Sequence, residues 1–126
     1  MQWKVYLEIL HNSQLIQAIK KHSKTISKKP QKLLLGNTNL LYTYADEFGV
    51  EVDMQSVRET FFASCFEDIY YSDIGDFKVD KYIFEIGGKN KSFKQIQDIE
   101  NSYLVIDTDY SMELNKIPLY LFGFLY

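Results

Sequence analysis

An α/β fold built on a mixed β-sheet is what this sequence predicts, and three observations predict it. Apolar and polar residues alternate at Phe77-Lys78-Val79 and again through Tyr82-Ile83-Phe84-Glu85-Ile86, so the stretch reads as two short strands joined by a tight turn. Apolar residues at helical spacing lie upstream, at Leu40, Leu41, Tyr44 and Phe48 and at Val57, Phe61, Phe62, Cys65 and Phe66. The order strand, helix, strand from 82 to 106 suits a right-handed parallel crossover. A central mixed sheet flanked by helices on both sides is the expected result.

Length and composition fit that expectation. At 126 residues and 46% hydrophobic, with 16% aromatics, the chain can bury a core of its own. It has no long uncharged apolar run and no signal-peptide layout at Met1-Gln2-Trp3-Lys4-Val5, so a cytoplasmic protein with no membrane partner is expected. The one cysteine, Cys65, sits among Phe61, Phe62 and Phe66 and reads as a buried thiol, not a nucleophile. Charge is uneven: residues 1–32 carry seven lysines against Glu8 alone, a net of +6, and the remainder carries −9 within the overall −3. Such a basic end permits contact with a polyanion, although a solvated lysine-rich loop has the same composition.

The elements follow in order. Trp3, Tyr6, Leu7 and Leu10 form an amphipathic helical stripe that wants a partner surface. A short strand from about Leu15 to Ile19 precedes the lysine-rich segment 20–32, which Pro30 breaks; His11 and His22 have no spacing partner as metal ligands. Lys32-Leu33-Leu34-Leu35 is a compact strand ended by Gly36-Asn37, after which Asn37 or Thr38 caps a helix that Gly49 stops. The Gly-Asn-Thr-Asn turn lacks the spaced glycines and Gly-Lys-Ser/Thr ending of a nucleotide-binding loop. Ser56, with Glu59 in a capping box, is expected to open a helix from Val57 to about Phe66. Ser92 is expected to cap another helix holding Phe93, Ile96 and Ile99, and Tyr103 to Ile106 follows as a buried strand. After a polar loop at Tyr110 to Asn115, the apolar run from Ile117 to Tyr126 reads as a short terminal helix or edge strand.

Period-two alternation gathers the chemistry. It puts Ile83, Glu85, Gly87 and Lys89 on the face opposite Tyr82, Phe84 and Ile86, and a hairpin brings Asp76 beside Glu85. Two acids and an ammonium around one point are what a hydrolytic magnesium site needs, with carboxylates holding the ion and the lysine steadying the water or the charged transition state. At about 100° per residue Glu59 falls about 20° from Phe66, at the border of its helix's buried face. There it is either a third metal-binding acid or a residue that merely closes the helix start. Lys89, Lys91 and Lys94 form a basic turn beside the site, where the phosphates of a nucleic acid would sit.

The run Asp76…Glu85-Ile86-Gly87-Gly88-Lys89, with Arg58-Glu59-Thr60-Phe61-Phe62 before it and Ser92-Phe93-Lys94-Gln95-Ile96…Glu100-Asn101-Ser102-Tyr103-Leu104 after it, resembles a particular family. This is the uncharacterised C-terminal domain of bacterial and archaeal AAA-type ATP-binding proteins, itself similar to the PD-(D/E)xK restriction-endonuclease fold. The resemblance runs from about Tyr6 to Tyr126. It implies a nuclease-like α/β domain over 31–126, with 1–30 a remnant of a winged-helix region, so the chain is expected to be the tail of something longer. It also implies catalytic roles for Asp76, Glu85 and Lys89, and Mg²⁺ held by Asp76 and Glu85 with Glu59. One departure stands out: the nuclease pattern has lysine two residues after the acid, where this chain has Gly87. Lys89 lies about 6.6 Å farther along a regular strand, and a bulge at the glycine pair would redirect it.

Three functions remain open on the sequence. The first is a Mg²⁺-dependent nuclease-like or nucleic-acid-binding domain. In the second, the fold is kept as an inactive regulatory module and Asp76, Glu85 and Lys89 make a structural ion pair. The third is a docking piece for an AAA-type ATPase domain or a second copy of the chain, motivated by the first helix's apolar stripe.

Overall fold

The protein is described here by a computed structural model covering residues 2–20, 32–111 and 113–125, apart from the side chain of Trp3. Most of the lysine-rich segment, with His22 and Pro30, lies outside the described residues. Helix α1 (Gln2–Asn12) leads into a two-stranded antiparallel sheet of β1 (Ile16–Ile19) and β2 (Lys32–Leu35). Two helices follow, α2 (Thr38–Phe48) and α3 (Met54–Ser64). The main sheet then runs in chain order: β3 (Tyr70–Tyr71), β4 (Phe77–Val79), β5 (Tyr82–Gly88), β6 (Ser102–Asp107) and β7 (Lys116–Pro118). Its first two pairings are antiparallel and its last two parallel, so the sheet is mixed, as expected.

Local chemistry explains where most elements stop and start. The Asn37 side chain accepts the Leu40 N–H at 2.9 Å to open α2, and Gly49 closes it with a left-handed φ of 63°. The β4–β5 hairpin turns at Asp80, whose φ of 55° is one that aspartate tolerates. Before β4, Gly75 has a φ of 74° and a Cβ there would lie 3.1 Å from the Phe84 carbonyl oxygen. Only glycine lets the chain enter β4 so close to β5, and Asp76 is the next residue.

Two expected helices are corrected. Helix α3 begins at Met54, three residues before Val57, because Asp53 and not Ser56 is its cap: the Asp53 carboxylate accepts the N–H groups of Gln55 and Ser56, both at 3.3 Å. It ends at Ser64, not Phe66. The helix expected after Ser92 is only a 3-10 turn at Phe93–Gln95, and the Ser92 side chain does not cap it. Asp98 and Asn101 take left-handed φ values of 64° and 55°, which break any helical run. The parallel β5–β6 crossover is therefore made by irregular chain, and α-helices cover only one face of the main sheet among the described residues.

That face holds the larger core. Phe62 of α3 is fully buried, with its ring centroid 5.6 Å from Phe77, 5.1 Å from Phe84 and 4.8 Å from Phe122. Ile19 of β1 is buried in the same cluster, together with Ile86, Val105 and Leu119. The domain boundary expected near residue 30 thus separates two strands, β1 and β2, that pair with each other. Leu119 and Phe122 come from a 3-10 helix at Leu119–Phe124, so the apolar C-terminal run is an edge strand followed by a helical turn. On the opposite face a smaller cluster of Ile96, Leu104 and Ile106, with Ile83 and Phe93, packs the crossover against the sheet. No helix among the described residues is long and apolar enough to cross a membrane.

Candidate functional site

The site forms where β4 stops covering β5. Phe77 pairs with Phe84, and continuing that register by one residue sets Asp76 across from Glu85. Beyond it the edge of β5 is open, and side chains replace a neighbouring strand. Asp76 Oδ2 accepts the Ile86 N–H at 2.7 Å, and Gln55 Nε2 of α3 donates to the Ile86 carbonyl at 2.9 Å. Asp76 also donates its own N–H to the Phe84 carbonyl at 2.8 Å. The two acids expected to converge are thus on neighbouring chain segments, locked in register by backbone bonds.

Glu85 is only 1% exposed, a rare state for a carboxylate unless it is paired. It lies on the crossover face of the sheet, beside Leu104 of β6. Lys91 Nζ meets Glu85 Oε1 at 2.9 Å. With its amide turned so that Nε2 faces the acid, Gln95 lies 2.8 and 2.9 Å from the two carboxylate oxygens. Burial pushes the Glu85 carboxyl above its ordinary range; the Lys91 hydrogen bond pulls it down, and the nearby Asp76 and Glu59 charges push it up again, leaving it raised. The same hydrogen bond to Glu85 holds the Lys91 ammonium above the usual lysine range.

The lysine beside Glu85 is therefore Lys91, not the expected Lys89. Lys89 lies exposed in the turn after β5 and makes no ion pair among the described residues. Lys91 donates its N–H to the Gly88 carbonyl at 3.0 Å, and this turn brings its side chain back over the strand. The stem lies so close that a Cβ on Gly87 would stand 2.6 Å from both Cβ and Cγ of Lys91. Lys94 of the basic turn is exposed, so Lys89 and Lys94 face water and Lys91 is committed to Glu85. The clue in the sequence was an empty position on the Glu85 face at Gly87; Gln95 and Gln55 carried no such signal.

Glu59 stands one helical turn beyond Gln55 and is not part of a capping box. Its carboxylate pairs with Lys32 of β2, whose ammonium also lies 5.1 Å from the centre of the Phe77 ring. Glu59 is near enough to bear on the Glu85 charge, but its own oxygen is engaged by that lysine. Arg58, on the next position of α3, reaches Asp107 at the end of β6 at 3.2 Å. Its guanidinium lies over Gly88, 3.4 Å from where a Cβ would be.

Oxygen donors of this kind suit a hard cation such as Mg²⁺, which takes one or two carboxylates and completes its shell with water and phosphate. Asp76 and Glu85 fit that pattern: Asp76 Oδ1 makes no hydrogen bond among the described residues, and the Asp76 charge lies near enough to Glu85 to bear on its carboxyl, although burial is the larger cause of that group's raised position. Among the described residues no group of three or more acids, histidines or cysteines could hold an ion by itself. Glu59, expected as a third ligand, is placed with Lys32 instead. Cys65 is buried, with its Sγ 3.2 Å from the Phe61 carbonyl oxygen, and takes no part in the site. Comparison with known proteins returns no match: no family model, no curated protein and no solved structure matches the chain.

Proposed function

We propose that this chain is a nuclease-like domain of the restriction-endonuclease kind, and that it hydrolyses phosphodiesters with Mg²⁺ at Asp76 and Glu85. The observation that carries the reading is a buried Glu85 on an open strand edge, with Asp76 in register opposite and a lysine on its carboxylate. Buried acids with shifted titration, crowded by like charge, cluster at reactive sites more than at inert ones. A bound divalent cation supplies Lewis-acid polarisation of a phosphate oxygen and a more acidic water. The chain's own residues do the rest. Asp76 and Glu85 would hold the ion, Ile86 is held at both its N–H and its carbonyl on the open edge so that its neighbours keep their aim, and the exposed Lys89 and Lys94 draw in phosphates. Lys91 and Gln95 cover Glu85, so an ion reaches it by displacing one of them.

Cleavage of single- and double-stranded DNA and RNA in millimolar Mg²⁺ or Mn²⁺ is the test. Wild-type protein is expected to cleave at least one of these, and Glu85→Ala and Asp76→Ala to lose about 100-fold or more of the rate. Activity that survives both substitutions defeats the assignment.

A second reading is favoured by a specific observation: each acid has a protein partner, Glu85 with Lys91, Glu59 with Lys32 and Asp76 with the Ile86 N–H. A network satisfied in this way also serves as a structural core. The chain would then be an inactive regulatory module docking on an AAA-type ATPase domain or on a second copy. The exposed Val5, Tyr6 and Ile9 of α1, each more than half exposed, provide a surface for that. Silence in a calorimetric titration with millimolar Mn²⁺ selects this reading. A cytoplasmic location accords with either.

A further inference from the structure

We propose that Lys91 supplies, from the turn after β5, the site cation that the strand itself lacks at position 87, and that Gly87 is the receptacle that admits it. The inference rests on the hydrolytic reading for its role in cleavage, and on geometry alone for its placement. In a regular strand the residue two after Glu85 shares its face, and a lysine there would lay its stem along the sheet and its ammonium beside the acid. Gly87 offers no side chain. The space is filled all the same, because Cβ, Cγ and Cδ of Lys91 lie 2.6, 2.6 and 2.8 Å from the position of a Cβ at 87. From there Nζ reaches Glu85 Oε1 at 2.9 Å.

The two observations concern the root and the tip of one side chain. A lysine could pair with Glu85 from many directions, but this one takes the path that a strand lysine would take. A glycine could stand at 87 for many reasons, but here any larger residue collides with the Lys91 stem near its root, where a side chain cannot swing aside. Around Glu85 the charged groups are Asp76 from the segment before β4, Glu59 from α3 and Lys91 from the turn, with Gln95 as a neutral donor. Lys32 is engaged by Glu59, which leaves Lys91 as the ammonium paired with Glu85 among the described residues. Lys91 acts through its contact with Glu85, so it is a positioning residue that fixes the acid's orientation and charge.

Moving the lysine back to the strand tests this. The variant Gly87→Lys with Lys91→Gly carries one lysine in the same volume; glycine is needed at 91 because the Lys91 Cβ is itself within 2.6 Å of a Cβ at 87. Lys91→Gly alone is expected to lower kcat about 100-fold with little change in KM, and the relocated variant to recover to within about 10-fold of wild type. Lys89→Ala, by contrast, acts through KM as a phosphate contact does. Gly87→Ala, which keeps Lys91 but expels its stem, should reproduce the loss. A second measurement needs no cleavage: in denaturant unfolding, the shift in midpoint caused by Lys91→Met should vanish in a Glu85→Gln background, whereas that of Lys89→Met should not depend on residue 85.

Wild-type cleavage that survives Lys91→Gly, or is lost without rescue by the relocated lysine in a folded protein, overturns the proposal and leaves the hydrolytic reading standing. Absence of cleavage by the wild type defeats the hydrolytic reading, and the unfolding cycle then decides the placement: coupling between 85 and 91 upholds it, and none overturns it.

Discussion

Glu85 is a carboxylate placed where its charge costs stability. Its carboxyl is raised by burial first, so the proton is held more tightly in the folded chain than in the unfolded one. The linkage follows: stability from this group is complete below the unfolded carboxyl value of about 4.3 and is lost as pH rises through the raised folded value. Lys91 is raised as well, and its contribution persists through neutral pH and is lost only in alkali, above the ordinary lysine value. Glu85→Gln is therefore expected to melt higher than wild type at pH 7, with the two curves converging as pH falls towards 4. Thermal unfolding across pH 4 to 8 checks this, and a variant less stable than wild type at pH 7 contradicts it. At this scale the sequence made both acids and their shared neighbourhood legible, since period-two alternation and a two-residue turn set register from local chemistry alone. The partner of Glu85 was not legible, because Lys89 and Lys91 lie two residues apart and differ only in how the chain turns after Gly88.

Among the elements, α3 carries the site's supports: Gln55 holds the Ile86 carbonyl, Arg58 lies over Gly88, and Glu59 meets Lys32. All three stand within two turns of the Asp53 cap, so the cap aligns them. Asp53→Ala is expected to cost about 1 kcal/mol by removing acceptors for the Gln55 and Ser56 N–H groups. Denaturant unfolding measures the cost, and faster hydrogen exchange at the start of α3 than at its end would place the damage there. The true cap lies three residues before Ser56, and Ser56 with Glu59 imitates a capping box closely enough to compete in a sequence reading. What decides between them is the Asp53 carboxylate, which takes the Gln55 and Ser56 N–H groups, while Glu59 goes to an ammonium on β2, 27 residues distant in the chain. The crossover shows the same limit from the other side. Phe93, Ile96 and Ile99 have helical spacing, but the segment forms a 3-10 turn followed by two further turns because Asp98 and Asn101 take left-handed φ values that break the helix.

For the molecule as a whole, one aromatic hub joins elements that are far apart in sequence. Phe62 touches rings from β4, β5 and the C-terminal 3-10 helix, and its burial is complete. Phe62→Ala is expected to destabilise the fold by about 3–5 kcal/mol, through lost transfer energy and the cavity left behind. A drop of under about 1 kcal/mol in denaturant unfolding would show that the cluster closes over the gap and that the hub is dispensable. The hub also matters to the site, since α3 presents Phe62 to the core and Gln55 to the open edge of β5.

By itself the sequence determined the mixed sheet, the hairpin with its acids in register, and the limits of α2, because strand alternation, turn residues and helix caps act over a few residues. Tertiary structure decided which lysine meets Glu85, where α3 begins and what covers the second face of the sheet. Those outcomes depend on space left empty by one residue and filled by another, and the vacancy above Gly87 exists only once the chain has folded back across it.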